Sequence, residues 1–94
     1  MHQRRLFWQF EAIDELSELL ERRIDKDGVQ DCIESIACLV AEEPGIAMVE
    51  PGPSHFLVHV FRCMDGDTEV FVRLIFDADD PVLLYVLSCR SVRF

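Results

Sequence analysis

Apolar residues recur at helical spacing in the first half of the chain and alternate as in β-strands in the second half. Residues 6–10 form a short aromatic-rich run that suits a strand or the lead-in to the first helix. Residues 11–24 follow a helical period, whose apolar stripe comprises Ile13, Leu16, Leu19, Leu20 and Ile24. The opposite side of this helix is acidic and carries Glu11, Asp14, Glu15, Glu18 and Glu21, which we call the acidic face.

A second amphipathic helix is predicted from about Val29 to Glu42. Asp27 stands where a side chain would cap its start, and Pro44 followed by Gly45 ends it. Its apolar stripe comprises Val29, Cys32, Ile33, Ile36, Leu39 and Val40. Because only the short break at residues 25–28 separates the two helices, we expect a helical hairpin.

Three strands are predicted after the Pro-Gly-Pro interruption at residues 51–53. They cover residues 55–63, 69–76 and 82–89, and the hairpin turn between the first two has Asp65-Gly66 at its centre. The sequence therefore predicts a single α+β domain over residues 1–94. In it, a two-helix hairpin packs on a three- to four-stranded antiparallel sheet in the order β-α-α-β-β-β.

Both faces of the predicted sheet are apolar. One face packs on the helices, and the other, the outer sheet face, presents Phe71, Arg73, Ile75, Leu83, Tyr85, Leu87 and Arg90. Large contiguous apolar patches are uncommon on monomeric proteins, so we expect this face to be covered. The candidates are the N-terminal aromatic segment, the C-terminal tail ending in Phe94, a second copy of the chain in a homodimer, or another protein, and we favour the last two.

Charge narrows the function classes. The chain has 18 acidic and 9 basic residues, a formal net charge of −9, while half of its residues are apolar. Because disorder requires low hydrophobicity, the acidic residues belong to the surface of a folded domain rather than to a disordered tail. Such a surface repels nucleic acid and attracts basic partners, so we expect a basic protein partner and no direct nucleic-acid binding.

No residue pattern predicts a catalytic, metal or cofactor site. The four cysteines form no C-x-x-C pair, and buried reduced thiols are the favoured interpretation. His55 and His59 lie roughly 13 Å apart along a strand, too far to share a metal. The aspartates at 65, 67, 77, 79 and 80 do not match a calcium-loop spacing and are ordinary turn residues.

The location predicted from the sequence is cytoplasmic. No apolar run approaches the roughly 18 residues of a membrane span. The run that follows Arg4 and Arg5 is interrupted by Glu11 and Asp14 before it reaches the length of a signal-peptide core.

The element order and the C-terminal strands resemble the RelE/ParE toxin superfamily, in which two helices precede a curved antiparallel sheet. The last strands of that family read roughly Arg-Val-x-Tyr, an acidic turn, an apolar run and His-Arg, and residues 72–76, 77–80 and 82–90 are similar. The resemblance implies that Arg73 and Arg90 match sheet arginines that contact RNA phosphates in the ribosome-dependent nucleases of the family.

Two departures bear on what the resemblance implies. The family's lysines are missing between Met48 and Cys63, and Phe94 stands near the place of the catalytic tyrosine. RNA cleavage needs phosphate-binding cations and an acid–base pair. The resemblance therefore implies a toxin that binds its target, as the gyrase-binding ParE type does, rather than one that cleaves RNA.

Three functions remain open on the sequence. The leading expectation is a non-enzymatic acidic module that binds and inhibits a basic or nucleic-acid-binding protein, as anti-defence and immunity proteins do. The second is a RelE/ParE-type toxin of a toxin–antitoxin system. The third is a subunit of a larger complex that uses the outer sheet face.

Overall fold

A helical hairpin packs on one face of a mixed β-sheet in the computed structural model, which describes residues 4–49 and 55–93. The helices are α1 (Phe10–Glu21) and α2 (Lys26–Glu42), and a 3-10 turn at Pro44–Ile46 follows α2. The strands are β1 (Arg5–Trp8), β2 (Met48–Val49), β3 (Phe56–Asp65), β4 (Thr68–Asp77) and β5 (Leu83–Val92).

The sheet has five strands in the spatial order β1-β5-β4-β3-β2. The α+β class and the helical hairpin predicted from the sequence are confirmed, but the sheet gains the two-residue strand β2 and is not wholly antiparallel. Strand β1 pairs in parallel with β5. Two neighbouring strands that run parallel need a long chain segment to connect them. Here the segment that contains α1 and every element up to β4 forms this connection.

The β3–β4 hairpin turns through Gly66 and Asp67. Asp65 pairs with Thr68, so Asp65 is the last residue of β3 and the predicted Asp65-Gly66 centre of the turn is displaced by one residue. Gly66 has φ 61°, a left-handed conformation that glycine adopts without steric cost. Gly at the first central position is typical of a type II′ turn, whose twist matches that of the flanking strands.

On β4, the side chains that face the helices are the ones that the alternation of residues along the strand predicts. Its fully buried side chains include Val72, Leu74 and Phe76, and those of β5 include Leu84 and Val86. These residues cluster with apolar residues of both helices. The alternation therefore identified the inner face of the sheet correctly.

The buried stripe of α1 differs from the predicted one. Ala12, Leu16 and Leu19 are buried, whereas Ile13 is 43 % exposed. Ile24 lies beyond the end of the helix and is 88 % exposed. The helix is rotated so that the small side chain of Ala12 faces the sheet. In α2 the stripe likewise moves toward alanines, with Val29, Ile33, Ala37, Val40 and Ala41 buried.

The start of α2 is set by Asp25 rather than by Asp27. The Asp25 carboxylate accepts a hydrogen bond from the backbone N–H of Gly28 at 3.0 Å, and Asp27 lies in the first turn. The connection between the helices is also held from the sheet, because the buried Asp65 carboxylate accepts hydrogen bonds from two of its backbone N–H groups. The helix consequently begins three residues earlier than predicted.

The outer sheet face is not covered by the N-terminal segment. That segment is β1, and it extends the sheet at its edge and adds Phe7 to the outer face beside Tyr85. The Pro51–Pro53 interruption and Phe94, another candidate cover, lie outside the described residues. In the part of the chain that the structure describes, no helix is long and apolar enough to cross a membrane.

Candidate functional site

The acidic face lies on the side of α1 that points away from the core. Because Ala12, Leu16 and Leu19 are buried, residues half a turn away on the helix are exposed. Glu11, Asp14, Glu18 and Glu21 are exposed as predicted, and Glu15 is half-buried. The structure thus brings the predicted acidic residues together on one helix surface.

A groove runs between α1 and the edge of β5. Strand β1 pairs with β5 only as far as Val86, so in the described residues no strand covers the following part of this edge. The groove has a volume of about 550 Å³ and is lined by Glu11, Asp14, Glu15, Glu18, Leu19, Arg22, Arg23, Cys89, Arg90 and Ser91. The acidic residues that line the groove belong to α1, and the end of the groove near Arg22 is basic.

One ion pair crosses this groove. Arg90 Nε donates a hydrogen bond to Glu15 Oε2, and the Glu15 side chain is only 17 % exposed while that of Arg90 is 75 % exposed. This hydrogen bond and the charge of Glu15 raise the pKa of Arg90, and the charge of Glu18 adds to the effect. Arg90 therefore neutralises one carboxylate of the acidic face and leaves the others to solvent.

Like charges stand one helical turn apart on α1. Glu11 precedes Glu15 by four residues, and Asp14 precedes Glu18 by four. Each such pair destabilises a helix by roughly 0.2–0.5 kcal/mol. In the described residues, Glu11 and Asp14 form no ion pair that would offset this cost. The spacing of these acidic residues therefore destabilises α1 slightly.

Two apolar side chains beside the acidic face are exposed, which the apolar pattern does not predict. Phe10 is 84 % exposed at the start of α1, one helical turn before Asp14. Ile13, predicted to be buried, lies next to it on the helix surface and is 43 % exposed. The position of Ala12 could have indicated this exposure. A buried stripe through Ala12, Leu16 and Leu19 also has helical spacing, and Phe10 does not belong to it.

The residues of the outer sheet face are also brought together. In β4 and β5, Phe71, Arg73, Ile75, Leu83, Tyr85 and Leu87 are half-buried, and Arg90 is exposed. Leu87 lies at an irregularity, because Val86 pairs with Phe76 while Ser88 pairs with Ile75. Such a bulge increases the local twist of the sheet and shifts the alternation along the rest of β5.

Arg73 and Arg90, the arginines singled out by the family resemblance, are directly opposite each other. They pair across β4 and β5. Like charges in this position destabilise a sheet, and the bond of Arg90 to Glu15 offsets part of that repulsion. The described residues thus supply each of these two arginines with an interaction inside the protein.

The histidines and turn aspartates have local contacts. His55 precedes β3, and its Nδ1 lies 3.2 Å from Asp79 Oδ1, with both side chains mostly exposed. The His59 ring stacks on Phe61 at 5.9 Å between ring centroids. Asp80 accepts hydrogen bonds from the backbone N–H groups of Val82 and Leu83, which lower its pKa. No group of three or more His, Cys, Asp or Glu side chains among the described residues could hold a metal ion.

Comparison with protein-family models, with curated proteins and with solved structures gave no match to this chain. The resemblance to the RelE/ParE superfamily stays a prediction.

Proposed function

We propose that this chain is a non-enzymatic acidic protein-binding module whose acidic face binds a basic protein partner in the cytoplasm and inhibits it. The observation that carries the proposal is the concentration of exposed carboxylates on one side of α1 beside an open groove. Glu11, Asp14 and Glu18 are available to a partner because the internal ion pair uses only Glu15. Charge complementarity of this kind steers association and selects against acidic partners.

The inhibition follows from the geometry of a helix that carries regularly spaced carboxylates. A helix of 12 residues is about 18 Å long, enough to span several phosphate positions of a nucleic-acid strand. A partner that binds nucleic acid presents Lys and Arg side chains to phosphates. The acidic face would occupy the same cations, so nucleic acid and this chain would compete for the partner.

Phe10 supplies the apolar contact that such an interface needs. Exposed charged pairs contribute little each, and most binding energy in protein interfaces comes from a few buried aromatic or arginine anchors. Phe10 lies at the border of the acidic face and is almost fully exposed. Burying this ring against the partner would stabilise the complex, while the surrounding carboxylates would set its orientation.

The test compares two variants that carry the same change of charge. The first combines Glu11→Gln, Asp14→Asn and Glu18→Gln on α1. The matched control combines Asp31→Asn, Glu34→Gln and Glu43→Gln, which are exposed positions in and just after α2. Each protein is used to capture partners from the host cell, and the affinity for the captured protein is measured at several salt concentrations.

We expect the wild-type chain and the α2 variant to capture the same basic protein, with affinity that falls as salt rises. The α1 variant should bind this protein at least about tenfold more weakly, because a loss of about 1.4 kcal/mol of binding free energy, shared by the three charges, lowers the affinity tenfold. Its stability should change little, because the loss of like-charge repulsion along α1 offsets the loss of the favourable acidic residue in the first turn of the helix. Equal binding by both variants would contradict the proposal.

A toxin of the RelE/ParE type is the second candidate, and the cross-strand pairing of Arg73 and Arg90 favours it. Two arginines at paired positions of neighbouring strands are compatible with an anionic target. In that case, expression of the chain would arrest growth, and Arg90→Gln would relieve the arrest. The proposed inhibitor predicts harmless expression and unchanged or tighter partner binding by Arg90→Gln, because this change frees Glu15.

A subunit role through the outer sheet face is the third candidate. Phe7 and Met64 are about half exposed on that face. Binding there would be insensitive to salt and unaffected by either set of carboxylate substitutions.

A further inference from the structure

Two cysteine sulfurs lie in contact at the junction of α2 and β3. The Sγ atoms of Cys32 and Cys63 are 3.1 Å apart, and the Cys63 thiol donates to the Cys32 sulfur. Cys63 is 1 % exposed, while Cys32 is half-buried at the margin of the core. The other two cysteines are Cys38, which is exposed on the same helix, and the buried Cys89.

We propose that Cys32 and Cys63 form a site of reversible covalent modification, an intramolecular disulfide that closes by thiol–disulfide exchange with a low-molecular-weight disulfide such as glutathione disulfide. A disulfide bond is about 2.05 Å long, so the sulfurs need to approach by only about 1 Å. The two residues are 31 positions apart in sequence and lie on a helix and a strand that already pack together.

The reaction begins at Cys32, the accessible thiol of the pair. Its thiolate attacks one sulfur of glutathione disulfide, which forms a mixed disulfide and releases one glutathione. The Cys63 sulfur, already in contact, then attacks the Cys32 sulfur, loses its proton to solvent and displaces the second glutathione. The balance is two protein thiols oxidised to one protein disulfide and one glutathione disulfide reduced to two glutathione molecules.

The order of the two steps follows from burial. Burial and the neighbouring Cys32 thiol raise the pKa of Cys63 to about 12. The reactive thiolate form of Cys63 is therefore scarce, and Cys63 does not readily attack glutathione disulfide itself. It acts only when its sulfur is held beside an activated partner. Cys38 has the exposure for the first step but no cysteine sulfur among its described contacts for the second.

The disulfide would fasten α2 to β3 two residues before Asp65, which holds the connection between the helices. It would restrain the packing of the helical hairpin on the sheet under oxidising conditions. This inference is independent of the proposed binding function, because it concerns residues outside the groove and the acidic face.

The test is an equilibration of the folded full chain with graded mixtures of oxidised and reduced glutathione, followed by acid quenching, alkylation and peptide mapping by mass spectrometry. We expect a Cys32–Cys63 linked peptide to be the main product, to increase with the oxidised fraction and to disappear when reduced glutathione is added back. Cys38→Ser should leave the product unchanged, and Cys32→Ser should abolish it.

Cys63→Ala keeps the accessible thiol and removes its partner, so it should accumulate glutathione on Cys32 as a stable mixed disulfide. Circular dichroism verifies that each variant is folded. The proposal is overturned if all four wild-type thiols stay free in the most oxidising mixture, if glutathione remains on Cys32 in the wild-type chain, or if the linked peptide joins another pair.

Discussion

The carboxylate of Asp65 at the end of β3 accepts a hydrogen bond of 2.7 Å from the backbone N–H of Asp25, 40 residues earlier in the chain. The same oxygen accepts a second bond, of 2.9 Å, from the N–H of Ile24. Asp65 is 5 % exposed and is the buried charged side chain of the described residues. One carboxylate therefore joins the tip of the β3–β4 hairpin to the connection between the helices.

Removal of this carboxylate should destabilise the fold. Asp65→Ala leaves two backbone N–H groups without their acceptor, and we expect a loss of about 2–3 kcal/mol in the free energy of unfolding. Asp65→Asn keeps an acceptor oxygen but loses the charge, so its cost should be smaller, about 1 kcal/mol. Urea denaturation measures both. Asp67→Ala, in the exposed turn, is the control and should change stability by less than about 0.5 kcal/mol.

The assignment of the α2 cap is tested by a pair of neighbouring aspartates. Asp25→Ala removes the side chain that accepts from the N–H of Gly28, and a loss of about 1 kcal/mol is expected. Asp27→Ala removes only a favourable charge in the first turn and should cost a few tenths of a kcal/mol. Equal effects of the two substitutions in the same denaturation assay would argue against Asp25 as the cap.

The linear pattern of residues leaves the start of α2 undetermined. Asp25 and Asp27 are equally good capping residues, and the choice depends on Asp65, which lies in a different element and holds the chain at Asp25. Local chemistry sufficed to predict a hairpin turn that includes Gly66, where a left-handed residue is required, although the centre of the turn is displaced by one residue. It could not predict the parallel pairing of β1 with β5, because that contact joins residues close to opposite ends of the chain.

The candidate site was predictable in the same partial way. The acidic face follows from helical spacing, because charged residues avoid the core wherever the helix happens to be rotated. The exposure of Phe10 depends on the exact rotation of α1, which packing against β5 decides in favour of Ala12. The groove depends on where β1 stops, and no sequence signal marks Trp8 as the last paired residue.

Phe10 gives a prediction that separates binding from stability. Because its side chain is 84 % exposed, Phe10→Ala should change the free energy of unfolding by less than about 0.5 kcal/mol. Loss of an aromatic anchor should weaken binding to the captured basic partner by about tenfold. Met48→Ala is the control, since Met48 is 73 % exposed on β2 and distant in sequence from α1. An equal loss of affinity in both variants would place the contact elsewhere.

Stability should fall in the alkaline range because of two buried thiols. Burial raises the pKa values of Cys63 and Cys89 from 9.0 to about 12. Between these values the unfolded chain has lost the thiol protons while the folded chain retains them, so the free energy of unfolding decreases as pH rises from about 9 to 12. Below pH 9 the contribution is fully present.

Urea denaturation under reducing conditions at several pH values between 8 and 11 measures this slope. The Cys63→Ala, Cys89→Ala double variant should show a shallower decline than the wild-type chain, whatever its absolute stability. A double variant with the wild-type slope would assign the alkaline decline to other groups.

The binding footprint on the protein tests the central claim most directly. Amide chemical shifts of the chain are followed by nuclear magnetic resonance during titration with the captured basic partner. If the acidic face and its groove are the binding site, the largest changes will fall on residues 10–22 and 89–91 and will diminish with added salt. Changes concentrated at residues 71–75 and 83–87, and insensitive to salt, would contradict the account and assign binding to the outer sheet face.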